Sequence, residues 1–178
     1  MDRSGHLRLM ARYNTWMNDR LIDLSAKLPA ESLIAERGAF FGSILGTLNH
    51  LIVADTIWLQ RFAAHPANFP ALRPVRDLPQ PQALDERPFD SLHALAVRRE
   101  LLDRTIESWV ETLTDADLDS TLRYRTSSRG DESNREVYPL LVHFFNHQTH
   151  HRGQATTLLS QAGVDIGVTD LLSLIPQR

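Results

Sequence analysis

Four segments of the chain place apolar residues three and four positions apart, which is the spacing of one face of a helix. Each segment has a recognisable boundary: Pro29 ends the first, Ser43 is a candidate N-cap for the second, the third starts near Ser91, and Gly163 follows the last. The predicted helices span about residues 3–28, 43–64, 91–113 and 139–162.

The segments between these predicted helices differ in character. Six of the nine prolines lie in residues 65–88, which favours an extended connection rather than a domain boundary, because neither flank could bury its apolar face alone. Residues 114–137 are mostly polar and predict a short hairpin around a turn at Ser127–Gly130. Residues 169–174 predict one last helical turn. Together these elements predict an all-α fold, a four-helix bundle that forms one domain over residues 1–178.

The composition narrows the classes of protein that the chain can belong to. Hydrophobic residues make up 42% of the 178 residues and charged residues 23%, which excludes wholesale disorder. The formal net charge is −3 and no basic stripe is present, so we expect no nucleic-acid partner. No apolar run reaches the ~20 residues that span a bilayer or forms a signal peptide, so we expect a cytoplasmic protein without membrane contact. The absence of cysteine excludes disulfides, thiolate metal sites and cysteine nucleophiles.

The histidines are unevenly distributed. Four of the eight lie within the nine residues 143–151. His147 and His151 are one helical turn apart, with ~6 Å of rise and ~40° of rotation between them, so both imidazoles can converge on one ion. His143 lies ~12 Å from His151 along the helix axis, and His150 is rotated ~100° from it. Neither is therefore expected to share that ion.

A third ligand has to come from another helix, and His50 is the best candidate. It lies inside the second predicted helix, where Gly46 and Ala54 leave room for a partner helix. The remaining histidines lie at a helix end, in the proline-rich connection or beside an apolar stripe. The alternative is a hydrogen-bonded histidine cluster without metal, because buried imidazoles need polar partners of some kind.

Other catalytic motifs are missing from the sequence. A metalloprotease helix needs Glu directly after the first histidine of the pair, and the chain has Gln148 there. The chain contains neither a Gly-rich phosphate loop nor a Gly-x-Ser-x-Gly nucleophile elbow. The functional prediction therefore depends on the histidines.

Three motifs resemble the DinB/YfiT-like family of metal-binding four-helix-bundle proteins, and the resemblance covers nearly the whole chain. The most specific motif is the pair His147-x-x-x-His151 followed by Arg152-Gly153-Gln154. The other two are Tyr13-Asn14-x-Trp16-x-Asn18-x-x-Leu21 in the first predicted helix, and Leu48-x-His50 with Asp55-x-x-Trp58-x-x-Arg61 in the second.

The resemblance implies an up-down-down-up bundle with a long crossover between the second and third helices, here the proline-rich stretch. It also implies that His50, His147 and His151 are the metal ligands and that the protein is a homodimer. Some relatives are thiol transferases or isomerases that use a low-molecular-weight thiol, while many have no assigned reaction. The implied partners are therefore a small-molecule thiol or an electrophile.

Three neutral histidines leave a divalent ion its full charge and at least one open position, where it can bind a thiolate or lower the pKa of water toward ~7. Imidazole suits Zn and Ni, which are preferred, and Fe and Mn are also compatible. Asn14, Arg152 and Gln154 are candidates for the groups that surround the ligands. Asp55 points ~140° away from the histidine on its own helix, so we expect it to pair with an arginine, such as Arg61 or Arg152, or to anchor a helix instead.

The sequence identifies no general base, so catalysis is one of three hypotheses. The first is a metal-dependent hydrolase or low-molecular-weight-thiol S-transferase with a three-histidine site. The second is a non-catalytic metal- or ligand-binding bundle with a role in the stress response, favoured by the lack of acid–base carboxylates near the histidines. The third is a metal-free module that dimerises.

Overall fold

The computed structural model describes residues 1–126 and 130–177, so residues 127–129 of the predicted turn lie outside the described residues. The fold is mostly helical with one small antiparallel sheet. The helices are α1 Arg3–Ser25, α2 Ala30–Ile34, α3 Ile44–Ala63, α4 Arg73–Arg76, α5 Leu92–Thr112, α6 Asp115–Asp119 and α7 Val137–Gln161. The strands are β1 Thr121–Arg125 and β2 Glu132–Glu136, paired with Thr121 opposite Glu136.

Long helices form at all four predicted segments, and local capping explains where they begin. Ser43 and Ser91 each accept a hydrogen bond from the backbone N–H three residues further on, at the starts of α3 and α5. Helix α7 begins two residues before Pro139 and ends before Gly163. Gly163 has a φ of 83°, a left-handed conformation that glycine adopts without a steric penalty.

The proline-rich connection is less extended than predicted. It contains a 3-10 turn at Pro70–Leu72 followed directly by α4. The side chains of Leu72 and Val75 are fully buried, which holds this segment against the core. The Nε2 atom of Gln60 on α3 also donates to the backbone oxygens of Val75, at 3.2 Å, and Leu78, at 2.8 Å. Burial and backbone pairing of this kind are tertiary effects that the proline content could not reveal.

Two more short elements were not predicted. Helices α2 and α6 each contain five residues, too few to show a helical period in the sequence. The predicted hairpin is present as β1 and β2, and the predicted last turn is a 3-10 turn at Leu171–Leu174.

The long helices pack in a defined order. Helix α1 packs against α5 and α7, and α3 packs against the same two helices. Helices α1 and α5 are antiparallel, because their contacts run in opposite order along the two helices: Arg8 meets Glu111, and Asn18 meets Asp103. Helices α3 and α7 are antiparallel for the same reason, since His50 meets His151 and Trp58 meets His143. Helices α1 and α7 are parallel, because their contacts run in the same order: Arg3 meets Tyr138, and Asn14 meets Arg152. Helices α3 and α5 are also parallel, since Asp55 meets Arg99 and Phe62 meets Trp109.

The apolar core lies between these helices. Trp109 of α5 is fully buried, with its ring 4.8 Å from that of Phe62 and 5.5 Å from that of Phe69. Trp16 and Trp58 are half-buried, and Trp58 packs against the core. Among the described residues, no helix combines the length and the apolar character needed to cross a membrane.

Candidate metal centre

Helices α3 and α7 bring three histidines together across their antiparallel interface. The Nε2 atom of His50 lies 3.4 Å from Nε2 of His147 and 3.2 Å from Nε2 of His151. His50 is buried, while His147 and His151 are partly exposed. The three ligand atoms all lie within 4.8 Å of one another, so this cluster could hold a metal ion.

The outer nitrogens of two of these rings are held by oxygen acceptors. Nδ1 of His50 lies 2.8 Å from the backbone oxygen of Leu84, and Nδ1 of His151 lies 2.8 Å from Oε1 of Gln154. Carbonyl and amide oxygens only accept, so both Nδ1 atoms carry the hydrogen in the neutral rings. The Nε2 atoms of His50 and His151 therefore direct lone pairs at each other.

Burial keeps these rings neutral. It lowers the pKa of His50 to about 4 and the pKa of His147 to about 3, and it lowers the pKa of His151 as well. Neighbouring histidines lower all three pKa values further. A neutral imidazole is the form that ligates a metal, so the cluster is ready to bind an ion at neutral pH.

The spacing of the donors fits a transition-metal ion. Two nitrogens that each lie ~2.1 Å from one ion in tetrahedral geometry are ~3.4 Å apart, close to the two Nε2 distances observed. Two lone pairs that face each other at 3.2 Å repel unless a cation lies between them. A proton on Nε2 of His147, donated to His50, is the alternative that corresponds to a hydrogen-bonded cluster without metal.

Phe41 closes the apolar side of the cluster. Its ring stacks on His50 with a centroid distance of 3.8 Å and meets His151 edge-on at 5.5 Å. The backbone of Phe41 approaches α3 at Gly46, where a Cβ atom would collide with the Phe41 carbonyl oxygen. Gly46 therefore provides close approach to a loop, whereas the sequence suggested approach to a helix.

Of the three candidates for groups around the ligands, Gln154 alone contacts a triad ring, through its bond to His151. Asn14 and Arg152 belong to a separate buried layer. Arg152 donates to Oδ1 of Asn14 and its guanidinium lies 5.2 Å from the centre of the Tyr13 ring. The Nδ2 atom of Asn14 in turn donates to Asp103 at 2.9 Å.

Asp55 pairs with an arginine, as expected, but neither of the two arginines named from the sequence is that partner. Asp55 accepts from Nη1 of Arg99 at 2.5 Å, rather than from Arg61 or Arg152. Arg99 also donates through Nε to Asp103 at 3.0 Å. The signal in the sequence was Arg99 itself, a charged residue on the apolar stripe of α5. Its partner Asp103 is four residues further along the same helix, a spacing that the sequence shows, whereas Asp55 lies on α3 and could not be identified from spacing.

The histidines outside the triad take other positions. His143 lies between Trp58 and His147, with ring centroids 5.2 and 6.1 Å away. His150 packs edge-on against His151 at 4.8 Å and faces outward. His65 is buried, with Nε2 3.2 Å from the hydroxyl oxygen of Ser120. The Leu84 carbonyl that holds His50 had no signal in the sequence, since any residue type supplies a backbone oxygen.

Comparisons with known proteins identify the family of the chain. The family model of the DinB family matches residues 1–177. This chain belongs to the DinB family. It is similar to Protein DinB of Bacillus subtilis (strain 168), with 29% identity over 161 residues that cover 89% of this chain and 87% of that protein. No solved structure matches the chain.

Replacing Gln154 with alanine is expected to weaken metal binding by ~10–100-fold, because the Nδ1–H of His151 loses the acceptor that orients the ring. Competition with a chromogenic chelator measures the affinity. Gln161→Ala is the matched control, since this exposed amide lies at the end of the same helix. Equal affinities for the two variants would contradict the orienting role of Gln154.

The triad histidines are expected to make a destabilising contribution to the metal-free protein as the pH falls from about 6.5 toward 4, which Asp55 opposes because burial raises its pKa to about 6. The pKa values of His50 and His147 are about 4 and about 3 in the folded protein, below the ~6.5 of an exposed histidine. At these two histidines the unfolded chain therefore binds more protons than the folded protein in this range. Their contribution to the free energy of unfolding thus decreases as the pH decreases. Urea unfolding of chelator-treated protein measures this slope, and His50→Gln/His147→Gln should reduce it. An equal slope in that variant would contradict the assignment.

Proposed function

We propose that this DinB-family protein binds a divalent metal ion through His50, His147 and His151 and keeps at least one coordination position open to a small molecule. The observation that carries the proposal is the convergence of three Nε2 atoms, two of them with lone pairs directed at each other at 3.2 Å. Partial exposure of His147 and His151 supports an open position, because that side of the cluster is accessible from solvent.

The residues of the chain prepare this site. Leu84 and Gln154 accept the Nδ1 hydrogens and thereby orient the rings of His50 and His151. Phe41 excludes water from one face of the His50 ring. When bound, a divalent ion supplies Lewis-acid chemistry to a water or a thiol. An all-imidazole donor set suits Zn or Ni best and is compatible with Fe or Mn.

The reaction that we propose is a metal-dependent hydrolysis or the transfer of a low-molecular-weight thiol to an electrophile. It is supported by family membership and by the accessible, neutral donor set. The second candidate is a metal- or ligand-binding role without catalysis, such as stress sensing. The ion pairing of Asp55 and Asp103 with Arg99 favours this candidate, because these buried carboxylates are engaged and are poorly placed to act as bases.

Elemental analysis of untagged protein tests the metal site. The unaltered chain is expected to hold one ion, and His50→Ala and His151→Ala are each expected to lose it. His93→Ala is the control, because His93 is exposed at the start of α5. Equal metal content in all four proteins would reject these ligands, and a metal-free unaltered chain would favour the hydrogen-bonded cluster.

Turnover separates the two candidates for the role of the ion. The metal-loaded protein is assayed with bacillithiol, mycothiol or glutathione and an electrophile, and with ester and amide substrates for hydrolysis. Turnover that His50→Ala abolishes and His93→Ala preserves would support an enzyme. Metal binding without turnover in any assay would favour the non-catalytic role.

We also propose that the four long helices make an up-down-down-up four-helix bundle, that residues 1–178 form one domain, and that two chains associate as a homodimer. The pairwise helix directions and the shared hydrophobic core support the first two proposals. The dimer follows from the family resemblance. Light scattering coupled to size-exclusion chromatography should give the mass of two chains, and the mass of one chain would reject the dimer.

A further inference from the structure

A large cavity lies near the metal centre, although none of the three triad histidines lines it. Its volume is about 840 Å³, within the ~300–1,000 Å³ range of sites for small molecules. Its walls are α3, the connection from Arg76 to Leu84, and β1. Leu84 links the two sites, because its residue lines the cavity while its backbone oxygen holds Nδ1 of His50 at 2.8 Å. A molecule in this cavity therefore lies beside the residue that orients a proposed ligand.

The cavity is strongly basic. Among the described residues, its lining contains four arginines and neither aspartate nor glutamate. The four are Arg61, Arg76, Arg123 and Arg125. This excess contrasts with the chain as a whole, whose formal net charge is −3. Like charges collected around one concave space create a positive potential there that attracts anions.

Two of these arginines are held in place by the fold. The Nη2 atom of Arg61 donates to the backbone oxygen of Arg125 at 2.9 Å, and its guanidinium lies 4.8 Å from the centre of the Trp58 ring. Arg76 donates to Oδ1 of Asn68 at 2.5 Å. Both contacts are made to uncharged oxygens, and they orient the two guanidinium groups.

The other two arginines come from the hairpin. Arg123 and Arg125 are two residues apart on β1, so they lie on the same face of the strand. Both side chains are exposed, and neither takes part in the ion pairs found among the described residues. A guanidinium presents donors in a planar fork that matches the oxygens of carboxylate and phosphate groups.

We propose that this cavity binds the carboxylate or phosphate group of a small organic anion. Anion binding rests on the arginines alone, whereas a link between the bound anion and the metal centre through Leu84 rests on the proposed function.

Isothermal titration calorimetry of the full chain at low ionic strength tests the anion site, with inorganic phosphate and succinate as probes. The unaltered chain should bind at least one of them, and Arg123→Gln/Arg125→Gln should weaken binding by ~tenfold or more, because charge-assisted hydrogen bonds are lost. The control Arg12→Gln/Arg104→Gln removes the same charge from exposed positions on α1 and α5 and should change the affinity less than twofold.

The pattern of binding identifies the anionic group. Preference for phosphate indicates a phosphate-bearing substrate, and preference for succinate indicates a carboxylate-bearing one. Failure of the unaltered chain to bind either probe would overturn the proposal, and so would equal affinity in the cavity variant and the control.

Measurements on as-isolated and chelator-treated protein separate this inference from the proposed function. Arginine-dependent binding that survives chelation, together with an unchanged metal content in the cavity variant, would support both. Binding that needs the metal and survives both arginine substitutions would place the anion on the ion, which overturns the cavity proposal alone. Arginine-dependent binding to a protein that holds no metal as isolated would refute the link to a metal centre and leave the anion site standing.

Discussion

Replacing Arg99 with methionine is expected to lower the free energy of unfolding by ~3–5 kcal/mol, because it leaves two buried carboxylates without their counter-ion. Arg99 is 4% exposed, and its partners Asp55 and Asp103 are 1% and 2% exposed. Burial raises the pKa of Asp103, and the positive charge of Arg99 opposes that rise. Urea-induced unfolding followed by circular dichroism measures the loss.

Arg104→Met is the matched control for this prediction. Arg104 lies on the same helix, is exposed, and pairs with Glu100 at the surface. Its replacement should change the free energy of unfolding by no more than ~0.5 kcal/mol, since exposed ion pairs contribute little. If Arg99→Met fails to fold, Arg99→Lys keeps the charge without the planar fork and should show a smaller loss. A loss for Arg99→Met no larger than that of the control would contradict the role of the buried ion pairs.

Adding zinc to chelator-treated protein is expected to stabilise it by ~2.7 kcal/mol at a free concentration one hundred times the dissociation constant, because the ion binds the folded chain alone. His147→Ala should abolish most of this gain, since His147 supplies one of the three converging Nε2 atoms. Differential scanning calorimetry should show the gain as an increase in the melting temperature of roughly 5–10 °C for a chain of this length.

His93→Ala controls for nonspecific binding of zinc to histidine, because His93 is exposed and lies on another helix. This variant should keep the full zinc-dependent increase in melting temperature. An equal increase in His147→Ala and in the unaltered chain would show that zinc binds elsewhere, and the proposed ligand set would then be wrong.

Local sequence was sufficient to predict the long helices. The apolar period of three and four residues, the serines at positions 43 and 91 and the glycine at 163 act through neighbours in the chain. The short helices α2 and α6 were missed because five residues do not complete two turns. The compact part of the proline-rich connection was missed because Leu72 and Val75 are ordered by burial against distant residues.

The choice of histidines also followed from spacing. A separation of four residues puts His147 and His151 on one side of α7, and a histidine inside an amphipathic helix was the best partner for them. The structure brings the Nε2 atom of His50 within 3.4 Å of both. The family motif around Arg152 and Gln154 strengthened this choice, although only Gln154 contacts a ring of the triad.

The sequence by itself determined the long helices and the residues that converge between α3 and α7, because helical periodicity is a property of the local chain. Only the tertiary structure decided that Asp55 pairs with Arg99, that the Leu84 carbonyl orients His50, and that arginines from β1 and the connection share one cavity. These contacts join residues 34 or more positions apart. Their geometry depends on how whole elements pack, and no short-range pattern encodes it.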